Sequence, residues 1–374
     1  MKITLKNTPE QIELVKAMAS RNRDVAYEAQ TALAEFIGPV LAEVINNAPA
    51  LSNLFTTLQY NADDNPSIPL DLYFDVADED YVQVFSQSRA GGLPTSEVQP
   101  TSSELKIATY SLDSAVSFDR RYAAKSRMDV VAKTMTRVAQ EILLKQNKIS
   151  ANVVMKAIGG STLGSAQTNG LNHVFKSAAN GKFSLKDLNA LITRSKRIVT
   201  SFVGGTPDAS QGNGITDIIC SPEIVESLRA IAYQPIDSVR NADIIAEEAY
   251  KAAGAPSFYG INVIELLEMG KSKVFNDVFD SNSSGNLPSA AGVEDSTGGA
   301  FATATDELVL GIDRSRESLV RPVAVDAESG AEFALIADDQ YSIRQSKIGY
   351  FGSIEEGRVV VDNRALIGVA VWHN

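Results

Sequence analysis

The sequence predicts an α+β fold organised around one long helix. Residues 101–158 contain neither Pro nor Gly, and from Met128 to Ile142 apolar residues recur at alternating steps of three and four. Outside that stripe, shorter stretches alternate apolar and polar residues with a period of two, which is typical of half-buried strands. Gly-, Pro- and Ser-rich stretches separate these elements and predict loops. Hydrophobic residues make up 44% of the 374-residue chain, enough for a substantial core.

The long helix is predicted over residues 127–158, a length of about 48 Å at 1.5 Å per residue. Its apolar stripe comprises Met128, Val131, Met135, Val138 and Ile142, and is expected to continue through Ile149, Val153 and Ala157. The opposite face carries the candidate binding residues Arg127, Lys133, Arg137, Lys145, Lys148 and Lys156. Only Asp129 and Glu141 oppose these charges within the helix.

This basic face belongs to a segment whose charge differs from that of the rest of the chain. Residues 120–200 contain 15 Lys and Arg against 3 Asp and Glu, whereas the whole chain contains 34 against 46, a net charge of −12. Such a segment predicts either an anionic partner or an acidic surface on a neighbouring copy. The residue types leave both possibilities open.

The N-terminal residues 1–65 are predicted to be a helical arm. Thr8 is a suitable N-cap, followed by Pro9 in the first turn and Gln11 three residues after the cap. Gly38 and Pro39 are expected to end the following helix. Because the segment has no evident core of its own, we expect it to lie on another surface.

Residues 66–118 predict an extended β-hairpin loop with a glycine- and proline-rich tip. The alternation shifts by one residue between Ile107 and Tyr110, which indicates a β-bulge. An isolated hairpin is marginal in water, so this one also needs a supporting surface.

The second half predicts a mixed sheet flanked by helices. Ser184 is a candidate N-cap for a second amphipathic helix. Strands are expected at Ile215–Ile219, Glu307–Ile312, Leu319–Val325, Ala331–Ile336, Tyr341–Tyr350 and Arg358–Trp372.

No catalytic, metal or cofactor site is predicted. His173 and His373 are too scattered for a ligand cluster, and Cys220 is expected to be a small buried thiol. The glycine-rich run at residues 159–164 lacks the Lys-Ser/Thr pair of a phosphate loop. Residues 280–285 have the opening spacing of a calcium loop but no carboxylate at the twelfth place. We therefore expect no enzyme activity, and we expect neither a secretory signal nor a membrane span.

The order of these elements resembles that of the major capsid proteins of tailed double-stranded DNA bacteriophages. The local resemblance is carried by ELKIATYSLDSAVSFDRRYAAKSRMDVVAKTMTRVAQEILLKQ, SLKDLNALITRSKRIV, ITDIICSPEIVESLRAI and YSIRQSKIGYFGSIEEGRVVVDNRALIGVAV. The resemblance implies a peripheral domain at 119–206 that contains the spine helix, an axial domain at 207–330, and C-terminal strands at 331–374 that return to the peripheral domain. It also implies that the arm and hairpin reach onto adjacent subunits and that the spine helix faces the shell interior.

The same resemblance implies a structural protein of the virion. It would assemble in the host cytoplasm into pentamers and hexamers that close into an icosahedral shell around double-stranded DNA. Portal and separate scaffolding proteins, and in some shells a decoration protein, are the implied partners. Because the chain begins at Met1, we expect no scaffolding extension to be removed. The alternatives are an encapsulin-like nanocompartment shell and, from another class, a cytosolic α+β enzyme that uses scattered carboxylates.

Overall fold

The structure is a computed structural model that describes residues 8–46, 48, 50–61, 64–69, 104–125, 128–160, 172–177, 183–198, 214–233, 257–258, 260–283, 287, 299–325, 332–338 and 346–372. The chain divides into two compact units. Residues 1–67, 106–150 and 320–359 form the first unit, and residues 68–105, 151–319 and 360–374 form the second. None of the helices among the described residues has the length and apolar character needed to cross a membrane.

The described helices are α1 (Pro9–Met18), α2 (Arg23–Asn46), α3 (Arg120–Ala124), α4 (Met128–Gly160), α5 (Leu185–Arg197), α6 (Pro222–Tyr233) and α7 (Val274–Asn282). The described strands are β1 (Thr56–Asn61), β2 (Ser67–Pro69), β3 (Glu104–Lys106), β4 (Thr109–Asp119), β5 (Val174–Lys176), β6 (Asp217–Cys220), β7 (Ser257–Phe258), β8 (Ile261–Glu265), β9 (Asp306–Ile312), β10 (Leu319–Val325), β11 (Ala334–Asp338), β12 (Lys347–Gly357), β13 (Val359–Val360) and β14 (Leu366–Trp372). The α+β class is confirmed.

The N-terminal helices follow the predicted start but not the predicted break. Thr8 caps α1 by accepting a hydrogen bond from the backbone N–H of Gln11. Helix α2, however, continues through Pro39 to Asn46, so the predicted end at this proline is wrong. Pro39 itself is exposed, whereas Ile37 and Leu41 on either side are buried in the core of the first unit. Packing of this face offsets the hydrogen bond that a proline removes from a helix.

The sheet of the first unit is built mainly on β12. Its order is β1–β10–β12–β11, and β4 also pairs with β12. The antiparallel β4–β12 register runs from Thr109 opposite Gly357 to Asp119 opposite Lys347. Strand β1 is parallel to β10. The alternation in β4 turns Phe118 inward, where its ring stacks on Tyr350 of β12 with 6.4 Å between the ring centroids.

One hydrophobic core holds the first unit together, and the N-terminal helices are part of it. The core combines apolar side chains of α1, α2, α4 and the sheet, among them Val15, Met18, Leu33, Ile37, Leu41, Val131, Met135, Val138, Ile142, Val323, Ile348 and Tyr350. The expectation that the N-terminal arm depends on another subunit for burial is therefore wrong for helices α1 and α2. The stripes of α1 and α2 are buried within their own chain.

Of the residues predicted to form the hairpin, the structure describes only 66–69 and 104–118. Strands β2 and β3 pair with each other as a two-stranded sheet, and residues 70–103 lie outside the described residues. Residues Ile107 and Ala108 interrupt the strand between β3 and β4, where the sequence placed a bulge. Because β4 pairs with β12 along its whole length, residues 109–119 belong to the sheet of the first unit rather than to an extended arm.

The second unit has its own sheet, with the strand order β5–β14–β9–β6–β8–β7. Its core combines the apolar faces of α5 and α6 with the inner strands, including Phe175, Leu188, Leu191, Ile218, Ile224, Val309, Ile367 and Val369. The predicted N-cap Ser184 forms a full capping box with Asp187 at the start of α5. The strand predicted over residues 358–372 is instead divided into β13 and β14 by a 3₁₀ turn at Asn363–Ala365. The division into five segments remains a prediction.

Candidate nucleic-acid interface

Helix α4 is positioned by the apolar face that the sequence predicts. Val131, Met135, Val138 and Ile142 are all buried in the core of the first unit. The side chain of Met128 lies outside the described residues. The steps of three and four between these residues keep one side of the helix on the core and leave the other side in solvent.

The buried face of α4 changes beyond Ser150. The predicted continuation through Val153 and Ala157 is wrong, since both are only partly buried, whereas Val154, Met155 and Ile158 are fully buried. This change coincides with the boundary after residue 150, where the helix passes into the second unit. A different set of neighbours there selects a different side of the helix.

The exposed side of α4 carries most of the predicted cationic residues. Lys133, Arg137, Lys145 and Lys148 are exposed and belong to the first unit; we call these four residues the cationic face. At 100° per residue they fall within an arc of about 120°, and they extend over about 22 Å of helix axis. Lys156 is also exposed but lies in the second unit, and Arg127 lies outside the described residues.

The cationic face has no ion-pair partner within the part of the chain that the structure describes. The exposed Glu141 lies within the same arc, and the apolar Leu144 is 59% exposed beside it. Four cations against one carboxylate form a positive surface in a chain whose net charge is −12. Lysine and arginine side chains in such an arrangement attract phosphate groups without reading bases.

A buried ionic cluster, which the sequence analysis missed, fixes α4 to the sheet. Glu356 of β12 is fully buried and accepts hydrogen bonds from Arg321 at 2.7 Å and from Arg358 at 3.1 Å. Gln146 of α4 donates to the same carboxylate at 3.1 Å, and Tyr110 donates at 2.9 Å. Burial raises the pKa of the Tyr110 hydroxyl, and the negative charge of Glu356 raises it further. The cluster thus joins the spine helix, β4, β10 and β12 at one point.

The arginines of this cluster also hold the N-terminal segment. Arg321 donates to the side-chain oxygen of Asn46 at 3.3 Å, and Arg358 donates to the backbone oxygen of Ser52 at 3.2 Å. The Arg358 guanidinium lies 5.2 Å from the ring centroid of Phe55. These contacts explain why the end of α2 and the turn after it belong to the first unit.

A sequence signal for this cluster exists in the alternation of β12. Ile348, Tyr350 and Ile354 all point inward, and Glu356 falls on the same parity. A carboxylate at an inward strand position requires a cationic partner, because an unpaired buried charge is strongly unfavourable. The partners themselves, 35 and 2 residues away, are not evident from local spacing.

Two of the weaker candidate residues, His173 and Cys220, are buried, and His373 lies outside the described residues. The Nδ1 atom of the buried His173 lies 2.8 Å from the backbone oxygen of Leu366, and burial lowers the pKa of this histidine. Cys220 is a buried free thiol as predicted, and burial raises its pKa to about 12. Asp280 and Asn282 of the calcium-loop spacing lie in α7. Among the described residues, no group of three or more His, Cys, Asp or Glu could hold a metal ion.

Comparison with known proteins gives similarity at the level of structure. No protein-family model matches the chain, and no curated protein matches it. The capsid of an empty GTA particle is similar over 87% of this chain and 91% of its own, with 11% identity and a TM-score of 0.49. The capsid of cyanophage P-SCSP1u is similar over 86% of this chain and 87% of its own, with 12% identity and a TM-score of 0.45.

An encapsulin is also among the similar structures. The holo-SrpI encapsulin complex from Synechococcus elongatus is similar over 72% of this chain and 76% of its own, with 10% identity and a TM-score of 0.38. The similar structures thus include both kinds of shell that the sequence resemblance named. Because all these TM-scores are below 0.5, the functional assignment depends on the residues of the chain itself.

Proposed function

We propose that this chain is a structural shell protein, the major capsid protein of a tailed phage. It self-assembles into pentamers and hexamers of an icosahedral head that encloses double-stranded DNA. The observation that carries the proposal is the cationic face of α4, which is exposed and unpaired within the described part of an acidic chain. The order of elements around α4 supports it: N-terminal helices, a strand returning from a hairpin, the spine helix, an α+β unit and C-terminal strands.

The chemistry of the cationic face fits packaged DNA. Double-stranded DNA carries one negative charge per about 1.7 Å of axis, so the roughly 22 Å of the cationic face lies opposite about 13 phosphate charges. Three of the four residues are lysines, which contact phosphates as point charges rather than through the forked geometry with which arginine reads guanine. Binding is therefore independent of base sequence, as packaging of a whole genome requires.

The proposal places the protein in the virion, with assembly in the host cytoplasm. Portal and separate scaffolding proteins are proposed partners, and decoration proteins are a further possibility of the same architecture. The proposed role is non-enzymatic and needs no cofactor or membrane.

The test compares DNA-filled and empty shells of one charge variant. Replacing Arg137, Lys145 and Lys148 with Gln removes three positive charges from exposed positions, so the chain should still fold. When filled and empty particles are heated and their disassembly is followed by light scattering, the variant should lower the disassembly temperature of filled shells at least twice as much as that of empty shells. Equal losses in both would assign the cationic face to contacts between subunits instead.

A matched control removes the same charge elsewhere. Lys16, Lys125 and Lys186 are also exposed, and their replacement with Gln should leave the difference between filled and empty particles unchanged. If particles purified from cells enclose protein cargo and no nucleic acid, an encapsulin-like compartment is favoured. A compact monomer on size-exclusion chromatography would favour the enzyme alternative.

A further inference from the structure

A cationic pocket lies in the first unit, between the turn that joins α1 to α2 and the beginnings of α3 and β12. It has a volume of about 160 Å³, and its lining includes the side chains of Arg21, Arg23, Arg120 and Lys347. Met18 and Ile348, both buried, are among the other lining residues, which contain no carboxylate. Arg21, Arg120 and Lys347 bring three positive charges to one cavity, where they repel one another, so the pocket favours occupation by an anion.

Arg120 is held in position before any ligand arrives. Its Nε and Nη2 atoms both donate to the backbone oxygen of Ala19, at 3.2 and 3.0 Å. Its backbone N–H donates to the backbone oxygen of Ser346 at 3.0 Å. A guanidinium has five N–H donors, so the two bonds to Ala19 leave others for a ligand. Arginine in a fixed orientation is well suited to oxyanions, since little side-chain freedom is lost on binding.

Gln30 supplies a second observation that is independent of the charges. Its side chain lines the pocket and is only 3% exposed. Its Oε1 atom is buried and has no hydrogen-bond partner among the described residues. Buried polar atoms are nearly always satisfied, so this acceptor is available to a ligand that donates a hydrogen bond. A ligand that suits the whole pocket therefore combines negative oxygens with a hydroxyl group.

We propose that this pocket binds inorganic phosphate. The charged oxygens of hydrogen phosphate would pair with Arg120 and with the cations at Arg21 and Lys347, and the P–OH group would donate to Gln30 Oε1. On the same volume measure a single water needs only about 10–15 Å³, so a cavity of about 160 Å³ has room for a group of five heavy atoms such as phosphate. The pocket shares no residue with the cationic face of α4, so this binding does not depend on the role proposed for the chain.

The test is a calorimetric titration of the full-length chain with inorganic phosphate at neutral pH and constant ionic strength. Wild-type protein should bind phosphate saturably. The variant Arg21→Gln/Lys347→Gln changes two exposed side chains and should bind at least tenfold more weakly. The variant Lys16→Gln/Lys125→Gln removes the same charge from exposed positions outside the pocket and should change the affinity less than twofold. Circular dichroism confirms that each variant is folded.

The role of Gln30 is tested with sulfate, which has the shape of phosphate but no hydroxyl at neutral pH. Wild-type protein should bind sulfate at least threefold more weakly than phosphate, and Gln30→Met should remove that preference. The proposal is overturned if wild-type protein does not bind phosphate saturably, if both charge variants weaken binding equally, or if sulfate and phosphate bind wild-type protein equally.

Discussion

Removal of the Glu356 carboxylate should destabilise the first unit more than any surface substitution. In the Glu356→Ala variant, Arg321 and Arg358 stay buried without their shared counter-ion. Their side chains are 3% and 0% exposed, so water cannot replace the lost charge without a structural change. Breaking a buried ion pair in this way typically costs about 3–5 kcal/mol.

The distances in the cluster allow this cost to be worked out roughly. At an effective dielectric constant of about 20, a unit charge pair at 2.7 Å contributes about 6 kcal/mol and one at 3.1 Å about 5 kcal/mol. Desolvation of a buried carboxylate opposes this by several kcal/mol, and removal of the carboxylate also leaves two arginines that repel each other. We therefore expect Glu356→Ala to lower the free energy of unfolding by about 4 kcal/mol.

Urea unfolding of the unassembled chain, followed by far-UV circular dichroism, measures this loss. Trp372, the single tryptophan, is in the second unit, so its fluorescence would report the wrong part of the chain. Arg121→Gln is the control, because the Arg121–Asp119 pair is exposed, with Arg121 86% exposed, and should change stability by less than about 0.5 kcal/mol.

A double substitution tests whether the unpaired arginine charge causes the loss of stability. If stranded arginine charge causes the loss, Glu356→Leu combined with Arg321→Met should be less destabilising than the sum of the two single changes by at least about 1 kcal/mol. The reasoning would be refuted if Glu356→Ala cost less than about 1 kcal/mol or if the two single changes were additive.

Gly352→Ala should destabilise the first unit by roughly 1–3 kcal/mol, because its Cβ would lie 2.6 Å from the buried ring of Phe333. In the same urea assay, adding Phe333→Leu should recover part of this loss. Gly160→Ala is the control and should cost nothing, because the space around its Cβ is open. Burial lowers the pKa of His173, so as pH falls below about 6.5 this histidine takes up a proton in the unfolded chain before it does so in the folded chain. The stability of the folded chain should therefore decrease as pH falls. His173→Asn should flatten the dependence of the unfolding midpoint on pH between roughly pH 7 and 5. Burial raises the pKa of the Cys220 thiol from 9.0 to about 12, so the folded chain should resist alkylation by iodoacetamide at pH 8. Its stability should fall as pH rises between those two pKa values. Rapid alkylation of the folded protein, detected by mass spectrometry, would contradict this.

Local patterns predicted the elements that depend on neighbouring residues. The Thr8 cap, the Ser184 capping box and the exposed positions of α4 each follow from spacings within one or two helical turns. The basic residues of α4 were found for the same reason, since the helical period separates them from the buried stripe. Such signals need no knowledge of the rest of the chain.

Features set by distant residues could not be predicted. The sequence gives no indication that β4 pairs with β12, which follows it by more than 200 residues, or that Gln146 meets Glu356. The passage of α2 through Pro39 and the change of buried face after Ser150 have the same origin, because tertiary packing overrides local preference there. The cationic pocket likewise joins Arg21 to Lys347 only in the folded chain.

The packing of the N-terminal helices bears on which parts of the chain depend on contacts with other molecules. Since α1 and α2 are buried in the core of their own unit, they do not need a neighbouring copy to become stable. The charges of the cationic face differ, because the described part of the chain offers them no ion-pair partner. An anion that binds these residues has no existing ion pair to displace. Both its electrostatic attraction to the cations and the release of its own counterions therefore favour binding. Within the described residues, the positive charge of the cationic face is therefore available to an anionic partner, and under the proposed role that partner is the phosphate backbone of packaged DNA.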